Sequence, residues 1–370
     1  MKKEGLKLQN LQPLLYNNNE QQNWSLCVGA GISQPLFPSW LELIQEIYKK
    51  KIGNEKYIEN VISEYNLDSI LQSIYTLSNE KYDDFLKDLS DCLYERIKKY
   101  FSRNEWPVFC KLLFETNSAH INKEEWFLIE EKFCQIPKTT AFELAEILCS
   151  TITTDLEPYS VLTFNAESYL QACTNYLLHK KKKFNNQSGT KKYLDVITSS
   201  IGQKNKKRLP FYYCHGLMPA YINNKQVNSK ISFSDKLIFL EEEYINQTNI
   251  SFSWQASSFC EAIKNSTVVF IGVSLTDPNM RRWLSWIHQA KLNDIKHYNK
   301  NISLSTSHYW INKLPNNTQE KEMLEAIVAN LGIRIICIKE WTEVSLAMKK
   351  LLNIKPKVKR VRVTRKTKKN

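Results

Sequence analysis

The clearest structural signal in the sequence is CVGAGISQPLFPSW, residues 27–40. A short apolar run, residues 25–28, ends at a glycine, and Ser39 with Glu42 forms the S-x-x-E capping box that begins a helix. The next apolar residues recur at i, i+3, i+4 and i+7, the spacing of one helix face; they are Trp40, Leu43, Ile44 and Ile47. This stretch therefore predicts a strand, a tight glycine turn and an amphipathic helix.

The same order of strand and helix recurs in the second half of the chain. Apolar runs predict further strands at residues 159–165, 210–216, 267–275, 301–311 and 333–338. Periodic segments predict helices around residues 170–177, 277–287, 318–331 and 342–352. Because strands that alternate with helices form parallel βαβ units, we expect an α/β fold with a Rossmann-like, doubly wound parallel sheet. Ligands bind such sheets at the carboxyl ends of the strands.

Residues 50–150 lack this alternation and are helically periodic throughout. They predict an all-helical insertion, and the expected division of the chain is 1–48 and 151–354 for the Rossmann-like domain, 49–150 for the insertion and 355–370 for a basic tail. Residues 179–208 are read as a polar, basic connection with room for one short helix.

The positive charge of the chain is concentrated at its end. The net charge is +13, and the last sixteen residues carry nine basic and no acidic side chains. Such a tail gains affinity for nucleic acid by releasing counterions, but it has no aromatic residue on which a base could stack. We therefore favour a solvated end or an arm that docks on a partner protein over a nucleic-acid contact.

The cysteines and the apolar runs indicate the cellular location to expect for the protein and whether it binds a metal. The nine cysteines are odd in number and form no C-x-x-C pair, which disfavours a disulfide framework and a zinc ribbon. No apolar run approaches the roughly 20 residues that span a bilayer, and residues 1–15 lack the apolar core of a signal peptide. We expect a cytoplasmic protein with no membrane contact and no metal.

Small and polar residues lie at or just beyond the carboxyl ends of four of the predicted strands. They are the GAGIS turn at 29–33, Asn165 and Glu167, His215 before Gly216, and Gly272, Ser274 and Asp277 in GVSLTDP. A glycine turn before a helix suits a phosphate, and a histidine suits a general base. Each feature also has an ordinary structural explanation, because glycine permits turns and Asn165 and Asp277 are favoured helix caps.

The order of these motifs, G-A-G-x-S, T-x-N, H-G and G-x-S-x-x-D-P, resembles the sirtuin (Sir2) family, in particular its Sir2-like branch in bacterial antiphage defence. The resemblance implies that Asn165 positions a water or a ribose hydroxyl and that His215 is the general base. It also implies sites for NAD. Phosphate and ribose would lie at Gly29, Ala30, Gly31 and Ser33, adenosine at Gly272, Ser274 and Asp277, and nicotinamide near Glu167, where the family has an aspartate.

The chain departs from deacylating sirtuins in its cysteines. Those enzymes carry four zinc-binding cysteines after the catalytic histidine, whereas only Cys260 and Cys337 follow His215 here. With no zinc module to shape an acyl-lysine cleft, water is the expected acceptor. The resemblance then implies an NAD+ glycohydrolase that releases nicotinamide and ADP-ribose and acts as a defence effector.

Two alternatives stay open: a non-catalytic sensor of NAD or ADP-ribose, and a zinc-free deacylase or ADP-ribosyltransferase. Because uncontrolled hydrolysis would drain the NAD pool, we expect the helical insertion or an oligomeric partner to restrain the enzyme. The family expectation for partners is a homo-oligomer, a partner defence protein of the ATPase or Argonaute-like kind, or both.

Overall fold

The fold was analysed in a computed structural model. The described residues are 6–7, 16–17, 20–21, 23–53, 58–114, 121–184, 193–200, 208–222, 225–226, 237–249, 253–298, 307–315 and 317–354. The predicted basic tail, 355–370, and most of the basic runs at 180–183 and 204–208 lie outside these residues or have no described side chains.

The described strands are short and mostly parallel. In chain order they are β1 (Leu6–Lys7), β2 (Tyr16–Asn17), β3 (Glu20–Gln21), β4 (Trp24–Val28), β5 (Ser160–Thr163), β6 (Leu194–Ile197), β7 (Leu209–Tyr213), β8 (Tyr221–Ile222), β9 (Lys225–Gln226), β10 (Thr267–Ile271), β11 (His308–Lys313) and β12 (Ile333–Ile338). Eight of them form one sheet in the order β1-β12-β11-β10-β4-β5-β7-β6, with every pair parallel. The other four form two small antiparallel pairs, β2–β3 and β8–β9.

The helices fall into a group before β5 and a group after it. The first group is α1 (Trp40–Lys51), α2 (Ile58–Glu64), α3 (Leu67–Ser78), α4 (Tyr82–Lys98), α5 (Trp106–Phe114), α6 (Lys123–Gln135) and α7 (Thr140–Thr151). The second group is α8 (Tyr169–Phe184), α9 (Glu241–Asn249), α10 (Trp254–Asn265), α11 (Pro278–Tyr298), α12 (Thr318–Ala329) and α13 (Val344–Leu351).

Both faces of the sheet are buried, as the continuous apolar strands predict. Side chains alternate between the faces along each strand, so Leu26 joins one hydrophobic cluster and Cys27 the other. The first cluster packs α1, α3–α8 and α13 against the sheet. The second packs α10, α11 and α12 against the opposite face. The structure thus confirms the predicted α/β, doubly wound parallel sheet.

The centre of the sheet defines where a ligand can bind. Beside β4 the sheet continues with β5, β7 and β6 on one side, and the chain then returns to form β10, β11 and β12 on the other side. The loops after β4 and β10 therefore leave neighbouring strands at the point where the strand order reverses. In open α/β sheets such a switch point forms a crevice outside the strand ends.

One predicted element is wrong. Residues 179–208 were expected to hold no more than a short helix, but Leu194–Ile197 forms an edge strand parallel to β7. Only its two end residues are buried, so four residues show neither a clear apolar run nor a clear alternation. The first part of the predicted strand 301–311 lies outside the described residues, and β11 begins at His308.

Only helices occupy the described residues between α1 and β5. They share a hydrophobic cluster with the sheet, in which Phe85 and Phe109 are fully buried together with Trp24. Helix α4 is also tied to α1, because the largely buried ammonium of Lys51 binds both Glu80 and Asp88. The division of the chain into domains stays a prediction.

None of the helices in the described parts of the chain combines the length and the apolarity that a bilayer crossing requires.

Candidate active site

A cavity of about 660 Å³ lies at the switch point of the sheet. Cavities of roughly 300–1,000 Å³ are typical of small-molecule and cofactor sites. The loops after β4, β5, β7 and β10 form its polar wall, and α1, the α2–α3 connection and α9 close it from the other side. The loops that carry the predicted site residues therefore meet at one place.

The glycine turn is shaped by its neighbour in the sheet. The Gly29 and Gly31 N–H groups donate to the Ile271 and Gly272 carbonyls at 3.2 and 3.1 Å. A Cβ on Gly29 would lie 2.6 Å from the Gly272 oxygen, and Gly272 itself has a φ of +67°. These glycines are needed because two loops pack backbone against backbone. Gly29 and Ala30 line the cavity, whereas Gly31 is not among its lining residues.

Ser33 does not line the cavity either, contrary to its predicted place at the phosphate and ribose. It is fully buried, and its hydroxyl donates to Glu167 Oε1 at 2.6 Å. Its contact with the site is therefore indirect, through the carboxylate of Glu167.

Glu167 is a buried carboxylate with three donors. Besides Ser33, the Asn165 Nδ2 donates to Oε1 at 2.7 Å, and the backbone N–H of Tyr169 donates to Oε2. Burial raises the pKa of Glu167 above its ordinary value, although the three hydrogen bonds oppose that shift. The carboxylate lines the cavity and fixes the amide beside it.

In the amide of Asn165, the NH₂ group is hydrogen-bonded to Glu167 and the carbonyl oxygen has no donor among the described residues. Because a carboxylate can only accept, the NH₂ group faces Glu167 and the carbonyl oxygen points away from it. Asn165 is 3 % exposed, and its Oδ1 accepts no hydrogen bond from any described residue. A buried acceptor without a donor is costly. The geometry suits a ligand that supplies a donor, such as a ribose hydroxyl or a water.

The ring of His215 is held on both of its nitrogens. Nε2 lies 3.2 Å from Asp277 Oδ2, and Nδ1 lies 3.3 Å from the hydroxyl of Tyr244. The rings of Phe164 and Tyr244 meet the imidazole edge-on, with centroids 4.8 and 5.3 Å away. His215, Tyr244 and Asp277 all line the cavity.

Asp277 was predicted on the adenosine side, and in the structure its side chain contacts His215. Its Oδ1 caps α11 by accepting the Met280 N–H at 2.8 Å, while Oδ2 faces the imidazole. Burial alone would raise the pKa of Asp277, but hydrogen bonds from His215 and from the backbone of Met280 and Asn279 outweigh it and hold the pKa below its ordinary value. The residue is therefore a carboxylate at neutral pH.

Other residues of the GVSLTDP loop face the cavity. Gly272 and Ser274 line it, together with Thr276, whose hydroxyl lies 2.6 Å from the hydroxyl of Ser274. These two exposed hydroxyls can each donate and accept. They form part of the polar lining of the cavity.

Several lining residues were missed in the sequence. Tyr244 lies on α9, an acidic helix that the apolar periodicity did not reveal, and Asp68 lies at the start of α3. Burial, and then the charges of Glu241 and Asp277, raise the pKa of Asp68. Trp40 was read only as part of a helix face, but it packs against Phe239 at 5.3 Å and forms an apolar end of the cavity.

The charge of the cavity wall is negative. Among the described residues that line it, none is Lys or Arg, whereas Asp68, Glu167 and Asp277 are acidic. An anionic ligand group would therefore depend on backbone N–H groups. Apart from Ala30, the N–H groups of residues 29–33 already donate to backbone carbonyls, and those at the start of α11 donate to Asp277. The remaining candidates are the N–H groups of Ala30 and of the first two residues of α1. In the described parts of the chain, no group of three His, Cys, Asp or Glu side chains is placed to hold a metal ion.

Comparison with protein families agrees with this geometry. Residues 173–336 match the model of the SIR2-like domain, which supports a relation to the Sir2-like family. The match extends from α8 into β12, so it includes His215, Gly272, Ser274 and Asp277 but not the glycine turn or Asn165. No curated protein matches the chain significantly.

Proposed function

We propose that this cavity binds NAD+ and hydrolyses it to nicotinamide and ADP-ribose. The observation that carries the proposal is the convergence of Asn165, His215 and the 29–30 backbone on one cavity. The SIR2-like match relates the second half of the chain to a family that uses NAD, and it reaches neither the turn nor Asn165. Because the turn and Asn165 lie outside the matched residues, their position at the same cavity supports the proposal independently.

The residues suit a reaction through a sugar cation. The bond between the ribose C1′ and the nicotinamide nitrogen breaks, its electron pair stays on nicotinamide, and that leaving group becomes neutral without taking up a proton. The oxygen of a water then bonds to C1′, and its proton passes to His215 as general base. The open Oδ1 of Asn165 would accept a hydrogen bond from the water or from a ribose hydroxyl.

The rest of the cavity suits the remaining parts of the substrate. The Ala30 N–H and the first N–H groups of α1 would meet the diphosphate, since no basic side chain lines the described wall. The hydroxyls of Ser274 and Thr276 would hydrogen-bond a ribose. The apolar end at Trp40 and Phe239 would receive a ring of the dinucleotide.

The biological role that fits this reaction is depletion of NAD in bacterial antiphage defence. Such an enzyme needs restraint, and we propose that it comes from the helices over the cavity together with a second copy or a partner defence protein of the ATPase or Argonaute-like kind. The basic tail is proposed to dock on such a partner. A cytoplasmic location follows from the same proposal, because the NAD pool is there.

The test is nicotinamide release from NAD+, measured by chromatography on the full chain alone and with candidate partners. We expect release by the wild type, and losses of at least about 100-fold in Asn165→Ala and His215→Ala, in line with the size of general acid–base effects. His297→Ala, an exposed histidine on α11, is the matched control and should keep wild-type activity. Tight binding of NAD+ without release under all conditions would instead indicate a sensor and overturn the proposal.

A further inference from the structure

The two partners of His215 differ in what they can do as hydrogen-bonding groups. Asp277 is ionised at neutral pH and can only accept, so the His215 Nε2 that faces it must carry a proton. A neutral imidazole has one N–H, and Nδ1 therefore carries the lone pair. Burial raises the pKa of Tyr244 well above its ordinary value, so its hydroxyl keeps its proton and donates to Nδ1.

We propose that Asp277 is the positioning residue of this site: its carboxylate holds His215 in the tautomer whose Nδ1 can take a proton from the attacking water. The inference rests on the proposed hydrolysis. In the reaction, the water replaces the Tyr244 hydroxyl at Nδ1, its oxygen bonds to C1′, and its proton moves to Nδ1. The resulting imidazolium keeps its Nε2–H on Asp277, which stabilises the positive charge.

The surroundings of the ring are consistent with this role. The charged and titratable groups that face His215 are Asp277 from the loop before α11 and Tyr244 from α9. Asp68 on α3 and Glu243 on α9 act at longer range on Tyr244. Phe164 covers the ring edge without a charge. Asp277 is thus the one described carboxylate in contact with the imidazole.

A helix cap alone does not account for the geometry of Asp277. The cap uses Oδ1, which accepts from Met280, and Ser or Asn would serve there equally well. The second oxygen, Oδ2, lies 3.2 Å from His215 Nε2, and the helix cap does not require this contact. The loops bring them together, although β7 and β10 are separated by β4 and β5.

Asp277→Asn separates the two roles, because asparagine keeps the cap but offers either a weak acceptor or a donor to Nε2. We expect near-wild-type thermal stability together with a loss of nicotinamide release of at least about 100-fold; the same change in serine hydrolases costs about 10⁴-fold. Asn317→Ala, which removes the exposed cap of α12, should lower stability and leave activity per folded protein unchanged.

The tautomer is read separately, by ¹⁵N-labelling of histidine and long-range ¹H–¹⁵N correlation at neutral pH, with His215 assigned through its loss in His215→Gln. We expect the Nε2–H form in the wild type and a shift toward Nδ1–H in Asp277→Asn. A wild-type rate and a wild-type tautomer in Asp277→Asn would overturn the inference while leaving hydrolysis intact. Failure of the proposed hydrolysis would show as no release by the wild type, and the tautomer measurement would still decide the role of Asp277.

Discussion

At the residue scale, the site depends on contacts that polar side chains make with one another. Ser33 supports Glu167, Glu167 orients Asn165, and Asp277 orients His215. Two candidate reactive groups, the Asn165 amide and the His215 imidazole, are each held by a carboxylate. Because a carboxylate only accepts, each pair has one orientation, and the open acceptor of Asn165 is a consequence of that rule.

Gly29→Ala tests the close approach of the two loops. The new Cβ would lie 2.6 Å from the Gly272 oxygen, whereas a Cβ on Gly31 would lie no closer than 3.1 Å to it. The φ of Gly29 is −129°, which any residue can adopt, so the loss comes from crowding alone. We expect Gly29→Ala to lower the free energy of unfolding by about 1–3 kcal/mol in denaturant titrations, and Gly31→Ala to lower it less. A negligible loss of unfolding free energy in both variants would show that the two loops can move apart at little cost.

The residues that could be predicted from sequence were those whose role is local. Ser39 and Glu42 cap α1, and Asp277 caps α11, because a cap depends on positions three residues apart. The second bond of Asp277 could not be predicted. His215 follows β7 and Asp277 follows β10, and three strand spacings of about 4.8 Å separate those strands. Their contact depends on loop paths that no periodicity encodes.

At the element scale, α9 links the helices over the cavity to His215. It packs against α3, and the Ser69 hydroxyl donates to Glu241 at 2.7 Å. The Tyr82 hydroxyl of α4 bonds Glu243, whose other carboxylate oxygen accepts the N–H groups of Phe239 and Leu240 at 2.7 and 2.9 Å. Tyr244 is the next residue along. The helix that contacts the imidazole is therefore anchored by the predicted insertion.

Tyr82→Phe tests this anchor. It removes the hydroxyl that bonds the carboxylate of Glu243, and a hydrogen bond to a charged group contributes about 1.5–3 kcal/mol. We expect faster amide hydrogen exchange over residues 237–249 and little change in the central strands. Tyr100→Phe is the control, since Tyr100 is 37 % exposed and lies just beyond α4. Unchanged exchange in α9 would mean that other contacts hold it.

Strands and helices with strong apolar signals were predictable, and weak ones were not. The runs that became β4, β7, β10 and β12 are continuous because both faces of a parallel sheet are buried. The edge strand β6 was missed because its middle residues are only partly buried. Helix α9 was missed because its first turn is three glutamates, and its one site residue, Tyr244, carries no motif.

At the scale of the whole molecule, the sheet contains a histidine that makes its stability depend on pH. His308 is 3 % exposed at the start of β11, and its Nδ1 accepts the Val268 N–H at 3.1 Å. Burial, and then the nearby charges of Lys291 and His288, lower the pKa of His308 from 6.5 to about 3. Between these values the unfolded chain binds a proton that the folded chain does not bind.

The free energy of unfolding should therefore fall as the pH drops from about 6.5 toward 3, by up to about 1.4 kcal/mol per pH unit from this group. His308→Asn keeps an acceptor for Val268 and cannot titrate in this range. The stability difference between wild type and His308→Asn, followed by denaturant titration from pH 7 to 4, should move in favour of the variant on acidification. A difference that is constant with pH would contradict the buried neutral histidine.

The architecture as a whole places one cavity between a Rossmann-like sheet and a helical layer. The loops after β4, β5, β7 and β10 carry the sequence motifs to the cavity, and residues of α1, α3 and α9 also line it. The proposed function requires that Asn165, His215 and the glycine turn act on a single NAD+ molecule.

The most direct measurement is a crystal structure of the full chain carrying His215→Ala with NAD+ bound. We expect the nicotinamide-bearing ribose beside the Asn165 Oδ1 and residue 215, with the diphosphate against the backbone of Gly29 and Ala30. NAD+ bound elsewhere on the chain, or bound here with its nicotinamide ribose out of reach of Asn165, would contradict it.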